Sequence, residues 1–378
     1  MIETAGILLI LATLPATIEL MLTGLGVLFY KAKPLSALKE PPPRTVVLVP
    51  AHNEALNIKR TLHTIQNCSG EFDTIVIADN CTDTTALLAK KEHVQVLERK
   101  SPLKGKHHAL TEAFANFPDY DLYIVVDADT QVQSNLVDTF QKYIQEGWQA
   151  VQGLYLLPPT GSYFSSRIAS IAFTDYNAIR PMGRAAFGLS CGLFGNGIGL
   201  CRSVIQAVPF PKDTLVEDAT YHLEMIKKGI KVALATETTL IAAHPETAKD
   251  SSVQQQRWQG GRVRLWLDQA GSLLREILKG NGPCIEPLLD LSTPPLAYYT
   301  IALLLLLLTP FKIYAGVGFA LLALHLVQTL IFRKNGLADV WALALIPYYL
   351  LKRLFSLGQI WKGSRKGQAW IRTKRKGE

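Results

Sequence analysis

The sequence predicts an α/β domain built on a mainly parallel sheet and joined to membrane-embedded helices. Three observations predict it. First, TVVLVPAHNE (45–54), FDTIVIADNCTD (72–83) and DLYIVVDADT (121–130) each run from β-branched apolar residues into polar ones, as strands of a buried sheet do. Second, helix-like stretches separate them, and strand–helix alternation calls for a parallel sheet. Third, apolar stretches at 5–30 and 294–332 are long enough to cross a hydrocarbon core about 30 Å thick.

Composition supports this division. A chain of 378 residues can hold one large domain plus appended elements, and 48% hydrophobic residues with a positive mean hydropathy is too apolar for an ordinary soluble protein. The formal net charge of +8 is concentrated near the end, in Lys362, Arg365, Lys366, Arg372, Lys374, Arg375 and Lys376. A cationic tail beside apolar segments suits an anionic membrane surface, whereas a nucleic-acid binder spreads its charge over a folded face. Nucleic acid is therefore not the expected partner. The five cysteines are odd in number and form no CxxC pair, which points away from a disulfide framework or a zinc site and fits a reducing cytosol.

In chain order, residues 5–30 are apolar apart from Glu19 and a few threonines, and Lys31, Lys33, Lys39 and Arg44 follow. With no positive side chain ahead of the apolar stretch, this reads as an uncleaved anchor whose sequel is cytoplasmic. Pro41–Pro43 form a stiff spacer. The three strands then end in Asn53 and Glu54, Asp79 and Asp83, and Asp127 and Asp129. In parallel sheets ligands bind beyond those ends, so the three polar clusters are expected to meet in one crevice. The segment 260–278 is amphipathic and suits a membrane interface or a surface helix. The stretch 294–332 is too long for one span and is broken by TPFK at 309–312, which predicts a hairpin of two spanning helices. Residues 337–351 are shorter and contain Pro347, an interfacial pattern. The expected division is 1–40 anchor and linker, 41–260 catalytic domain, 261–292 interfacial helix region, 293–334 transmembrane hairpin, and 335–378 interfacial helix and basic tail.

Asp127 and Asp129 are the chemical focus. Residues two apart on a strand point the same way, and two adjacent carboxylates are costly without a cation between them. A hard ion such as Mg²⁺ or Mn²⁺ would satisfy both and keep positions open for phosphate oxygens. Taken alone, the pair is equally a solvated turn. Asp79 has a turn or helix-cap alternative, Lys106 that of a solvated lysine, and Asp218 that of an N-cap for ATYHLEMIKKG. The Gly-rich GLFGNGIGLCR (192–202) lacks the GK[ST] of a phosphate loop. His107 and His108 read as packing or solvent-facing groups, and His244 as structural, with a metal or phosphate contact as its alternative.

Taken together, VPAHNEALNIKRTL, ADNCTD, KGKHHAL, DAD, VED and QQQRW, in that order over residues 44–265, resemble the membrane-associated family 2 inverting glycosyltransferases, enzymes of the GT-A fold. Singly each motif is weak, and their order is what identifies the pattern. The resemblance implies that Pro50, Ala51, Glu54 and Asp79 line the nucleotide base and ribose, and that Lys106 approaches the diphosphate. It implies further that Asp127 contacts the nucleotide, that Asp129 holds the metal, and that Asp218, with Glu217 beside it, is the general base. The QxxRW pattern falls on Gln254, Arg257 and Trp258, which suit diphosphate or acceptor contacts. The 192–202 segment would lie near the acceptor, and Trp370, Arg372 and Thr373 resemble a gating loop, with a purely lipid-facing basic tail as the equal alternative.

The expected activity is inverting transfer of a sugar from a nucleotide-sugar, a UDP-sugar first, to a lipid-linked acceptor at the cytoplasmic membrane, with Mg²⁺ or Mn²⁺ as cofactor. Two alternatives share the motifs: a processive polysaccharide synthase, which needs more spanning helices, and a transferase acting on a glycolipid such as ceramide or a hopanoid. A non-catalytic membrane scaffold has no need for Asp127, Asp129, Asp218 and Arg257 together.

Overall fold

The structure, a computed structural model, describes residues 2–32, 34–158, 164–211, 216–242 and 248–354. It divides into two compact units. The first, a sheet unit, takes in residues 31–158 and 190–243, and the second, a helical unit, the remainder of the described chain. Residues 164–189 and 248–260, which the sequence groups with the catalytic segment, belong to the helical unit.

Among the described residues the sheet unit holds eight strands: β1 (Thr45–Ala51), β2 (Asp73–Asp79), β3 (Gln95–Arg99), β4 (Leu122–Val125), β5 (Thr130–Val132), β6 (Ala150–Leu156), β7 (Ile198–Cys201) and β8 (Val232–Ala242). They lie in the order β3-β2-β1-β4-β7-β6-β8-β5. The three strands read from the sequence are β1, β2 and β4, and they pair in parallel with one another and with β3. The far half is mixed: β6 and β8 are parallel, while β7 and β5 run against their neighbours.

Both faces of the sheet are covered, and the two-residue period shows it. Val47, Val49, Val76 and Ile124 enter one core, while Val46, Leu48, Ile75, Ile77 and Tyr123 enter the other. Helices bury matching stripes. Ile58–Gln66 turns Ile58, Leu62 and Ile65 into the first core, and Lys106–Asn116 turns Ala109, Leu110, Ala113 and Phe114 into the second.

The topology positions the site in two ways. The chain leaves β1 toward β2 and β3, then returns to place β4 on the other side of β1. In parallel sheets such a reversal, here at the carboxyl ends of β1 and β4, is where ligands are expected to bind. Because β7 is antiparallel to β4, with Val125 opposite Ile198, the loop entering β7 lies beside the chain leaving β4. The bond from Gly197 N to Val125 O, at 3.0 Å, fastens the two.

In the helical unit, Ile2–Phe29 and Lys312–Arg333 are long and apolar enough to cross a membrane. The expected first arm of the 293–334 hairpin is the helix Leu296–Leu306, whose 11 residues are shorter than a hydrocarbon core at 1.5 Å per residue. It is bent by 78° from Gly282–Ser292, and this pair forms a third span only if taken as one broken element. Ala16 and Leu20 pack against Tyr299, Leu303, Leu306 and Ala315. The long helix crosses Arg180–Ala186 at two glycines: a Cβ on Gly26 would stand 2.2 Å from the Gly183 carbonyl oxygen. Such close crossing of backbones is how helices associate where water cannot drive them together. The amphipathic 260–278 segment is part of one continuous helix, Ala248–Leu278.

Candidate active site

At the end of β1, Pro50 pairs with Ile77 and Ala51 with Ala78. Glu54 follows in the turn that starts Ile58–Gln66 and is 7% exposed. Its backbone N–H donates to Thr85 Oγ1 at 2.8 Å, and Asn57 Nδ2 donates to its Oε2 at 3.0 Å.

Asp79, the last residue of β2, is firmly held. Arg99 Nη1 donates to its Oδ1 at 2.6 Å and Asn80 Nδ2 at 2.8 Å, while the Gly105 N–H reaches Oδ2 at 3.4 Å. The buried Arg99 also donates to Glu112 at 2.7 Å. Asp79 is thus an anchored strand-end carboxylate, and Arg99, which sequence reasoning did not single out, fixes it. The signal was present in LERK, where a lone arginine ends an otherwise unremarked edge strand.

Gly105 links this corner to the next. It adopts φ +118°, a region that favours glycine, and Lys106 follows as the first residue of its helix. Lys106 Nζ donates to Asp127 Oδ1 and to the Gly195 carbonyl. The solvated-lysine reading therefore does not hold.

Strand β4 ends at Val125, so the two aspartates lie on a turn, closed by Thr130 N to Asp127 O at 3.0 Å, and not on the strand. Their environments differ. Asp127 is partly exposed and paired with Lys106, whereas Asp129 is 6% exposed.

Glu217 and Asp218 open the helix Glu217–Lys227, a place where the helix dipole favours carboxylates. The N-cap is Val216, so Asp218 is not the cap; its Oδ1 accepts from Ala219 N at 2.8 Å. Its Oδ2 stands 3.2 Å from where a Cβ of Gly195 would be. Gly195, at φ +78°, therefore lies against both Asp218 and Lys106. Tyr155 reports the same convergence. Burial pushes its phenol well up, and the charges of Asp127 and Asp218 add to that shift.

The sheet unit thus brings together Asp79, Lys106, Asp127, Asp129 and Asp218. Gln254, Arg257 and Trp258 lie on Ala248–Leu278 in the helical unit, where Trp258 faces Phe173 with ring centroids 6.2 Å apart. His244, Trp370, Arg372 and Thr373 fall outside the described residues. Sequence reasoning missed Gln152, Thr130 and Asn196, three buried polar residues around the turn.

The chain belongs to the glycosyltransferase-like family 2, whose model matches residues 42–261. It is 25% identical over 232 residues to the probable glycosyltransferase YdaM of Bacillus subtilis (strain 168), a match covering 58% of this chain and 55% of YdaM. This chain thus spans about half the length of that curated relative. In structure it is similar to the mannosyltransferase PcManGT of Pyrobaculum calidifontis, solved in complex with GDP-Man and Mn²⁺. That likeness has a TM-score of 0.56 at 15% identity and covers 96% of this chain and 99% of the other. A further similarity is to glucosyl-3-phosphoglycerate synthase of Mycobacterium tuberculosis, solved with Mn²⁺, UDP-glucose and phosphoglyceric acid, at TM-score 0.44 and 18% identity over 61% of this chain and 84% of that one. The fold is GT-A-like, as the motifs implied.

Proposed function

We propose that the protein transfers a sugar, with inversion, from a nucleoside-diphosphate sugar to a lipid-linked acceptor at the cytoplasmic face of a membrane. A UDP-sugar is the first donor to test. The observation that carries this reading is the bridge formed by Lys106. One ammonium joins the Asp127 carboxylate to the Gly195 carbonyl, and Gly195 in turn abuts Asp218. A cation for a diphosphate and a carboxylate for a hydroxyl are thus fastened to one loop.

The residues fit a divalent ion. Asp129 is a buried oxygen donor, and among the described residues no group of three His, Cys, Asp or Glu side chains could enclose a metal. Mg²⁺ and Mn²⁺ are commonly held by one or two carboxylates, with phosphate oxygens and water completing the shell. Asp129 would hold the ion with Asp127 adjoining, and the bound cation would stabilise the departing diphosphate.

The chain's own groups supply the rest. Pro50, Ala51, Glu54 and Asp79 seat the base and ribose, with Asp79 kept in place by Arg99. Lys106 adds positive charge where the diphosphate leaves. Asp218 takes the proton of the acceptor hydroxyl as it attacks the anomeric carbon. Glu217, Gln254, Arg257 and Trp258 are assigned to the acceptor or the diphosphate. Residues 41–260 are read as the catalytic segment, 1–40 and 293–334 as membrane anchors, and 261–292 and 335–378 as interfacial. Two helices of spanning length support a membrane setting, and a lipid-linked acceptor matches that setting.

The test is to reconstitute the purified protein in bilayers containing lipid-linked saccharides and supply a panel of UDP- and GDP-sugars, with and without Mn²⁺ or Mg²⁺. Released nucleoside diphosphate and glycosylated lipid are measured together. Both are expected to require a cation and one particular donor. No release from any donor would overturn the reading.

A further inference from the structure

The turn carrying Asp127 and Asp129 is held by an amide that the proposed chemistry does not use. Asn196 is 1% exposed. Its Oδ1 accepts the backbone N–H of Asp127 at 3.0 Å, and its Nδ2 donates to Thr130 Oγ1 at 2.7 Å. The Thr130 hydroxyl, itself wholly buried, donates to Asp129 Oδ1 at 3.4 Å. An oxygen that accepts from Asn196 has its one proton left to give, and the carboxylate of Asp129 takes it. One side chain therefore grips both ends of the turn, through the backbone at Asp127 and through a hydroxyl at Asp129.

Asn196 is in turn held rigidly. It lies between Gly195 and Gly197, both at positive φ (+78° and +66°). A Cβ on Gly197 would stand 2.5 Å from Leu240 Cδ1, so the loop cannot take a larger residue there without displacement. The fully buried Gln152 on β6 donates from Nε2 to Asn196 O at 2.8 Å, and its Oε1 accepts Phe194 N at 3.0 Å. A relay of buried amides and one hydroxyl thus runs from β6 to the Asp129 carboxylate. Polar groups are buried at a cost unless each finds a partner. Here every link named has one, and the line ends on the Asp129 carboxylate.

We propose that Asn196 is a positioning residue that sets the orientation of Asp129 for divalent-cation binding, acting through Thr130. The inference rests on the reading of Asp129 as the cation's carboxylate. Partners that orient a metal-ligating group contribute about 10–100-fold in metal affinity. An apolar residue at 196 would strip the Asp127 N–H of its acceptor and Thr130 of its donor, leaving the hydroxyl free to rotate away from Asp129.

The test is a Mn²⁺ titration of the purified full-length protein, reading unbound Mn²⁺ by electron paramagnetic resonance, with the melting transition recorded for each variant. Asn196→Ala is expected to weaken Mn²⁺ binding by about 10-fold or more. Thr130→Val, which removes only the hydroxyl, should weaken it in the same direction, and Thr130→Ser should restore wild-type binding. A residue that merely supported the fold would shift melting without this Val-against-Ser split. Should Asn196→Ala fail to fold, the Thr130 pair decides alone. Wild-type binding in Asn196→Ala and Thr130→Val, with binding lost in Asp129→Asn, would overturn the proposal. Wild-type binding in Asp129→Asn as well would instead overturn the assignment of the cation to Asp129.

Discussion

The sheet unit and the helical unit differ in what they expose and in how much charge they bury. In the sheet unit the strands bury Val46–Val49 and Ile75–Ile77 completely, and apart from Arg99, buried against Asp79, the charged pairs are at least partly exposed, such as Lys90 with Glu98. In the helical unit Leu11, Leu308 and Ile313 are exposed at 61%, 76% and 86%, while Glu19, Arg184 and Glu286 are almost wholly buried. Arg184 donates to Glu19 Oε1 and to Asp290 Oδ1 at 2.5 Å each, and Arg262 donates to Asp290 Oδ2 at 3.0 Å. A five-residue π-helical stretch, Asp175–Ile179, lets Asp175 meet both Arg180 and His325. Apolar side chains outside and paired charges inside are what a hydrocarbon solvent selects, and the reverse is what water selects. Two helices of the helical unit are long and apolar enough to cross a membrane, and the comparison implies that like interactions carry unlike weight in the two units.

Two variants break or sharpen that comparison. The larger effect is expected from Arg184→Met, which leaves Glu19, Glu286 and Asp290 without their shared guanidinium. Removing one partner of a buried ion cluster costs about 3–5 kcal/mol, read as a fall in the denaturation midpoint of the protein in detergent. An unchanged midpoint would mean that these carboxylates do not depend on Arg184. The smaller effect belongs to the sheet unit. Lys142 and Asp138 pair at 2.6 Å, with each side chain about a quarter exposed. Lys142→Ala is expected to cost about 0.3–0.5 kcal/mol, as for other helix-surface pairs four residues apart. A loss matching that of Arg184→Met would erase the distinction between the units.

What the sequence made legible follows the same line. Strands β1, β2 and β4 could be read because they are buried on both faces and so appear as unbroken apolar runs ending in polar residues. Their order of motifs placed Asp79, Lys106, Asp127 and Asp218, which the fold brings near one another. Strand β3 escaped notice because QVLER mixes charge with apolar residues at a sheet edge. Strand β7 was legible as a glycine-rich stretch in a strand-like setting, without its place in the sheet. The antiparallel insertion of β7 between β4 and β6 is a tertiary fact with no local periodicity. It is also what places Asn196 beside Asp127 across 69 positions of sequence. Arg184 escaped for a similar reason, since its carboxylates lie 165 and 106 residues away. The Asp127–Asp129 pair itself was found, with a strand period and a turn after the strand both open from the sequence, and a closed turn is observed.

The central claim is that Asp218 removes the proton from an acceptor hydroxyl while the other carboxylates and Lys106 hold the donor. The most direct measurement is a paired assay of Asp218→Asn, with nucleotide-sugar binding by calorimetry and sugar transfer by product formation. Donor affinity close to wild type with transfer reduced by about 10²–10⁴-fold is the predicted result. Normal turnover in this variant would contradict the account.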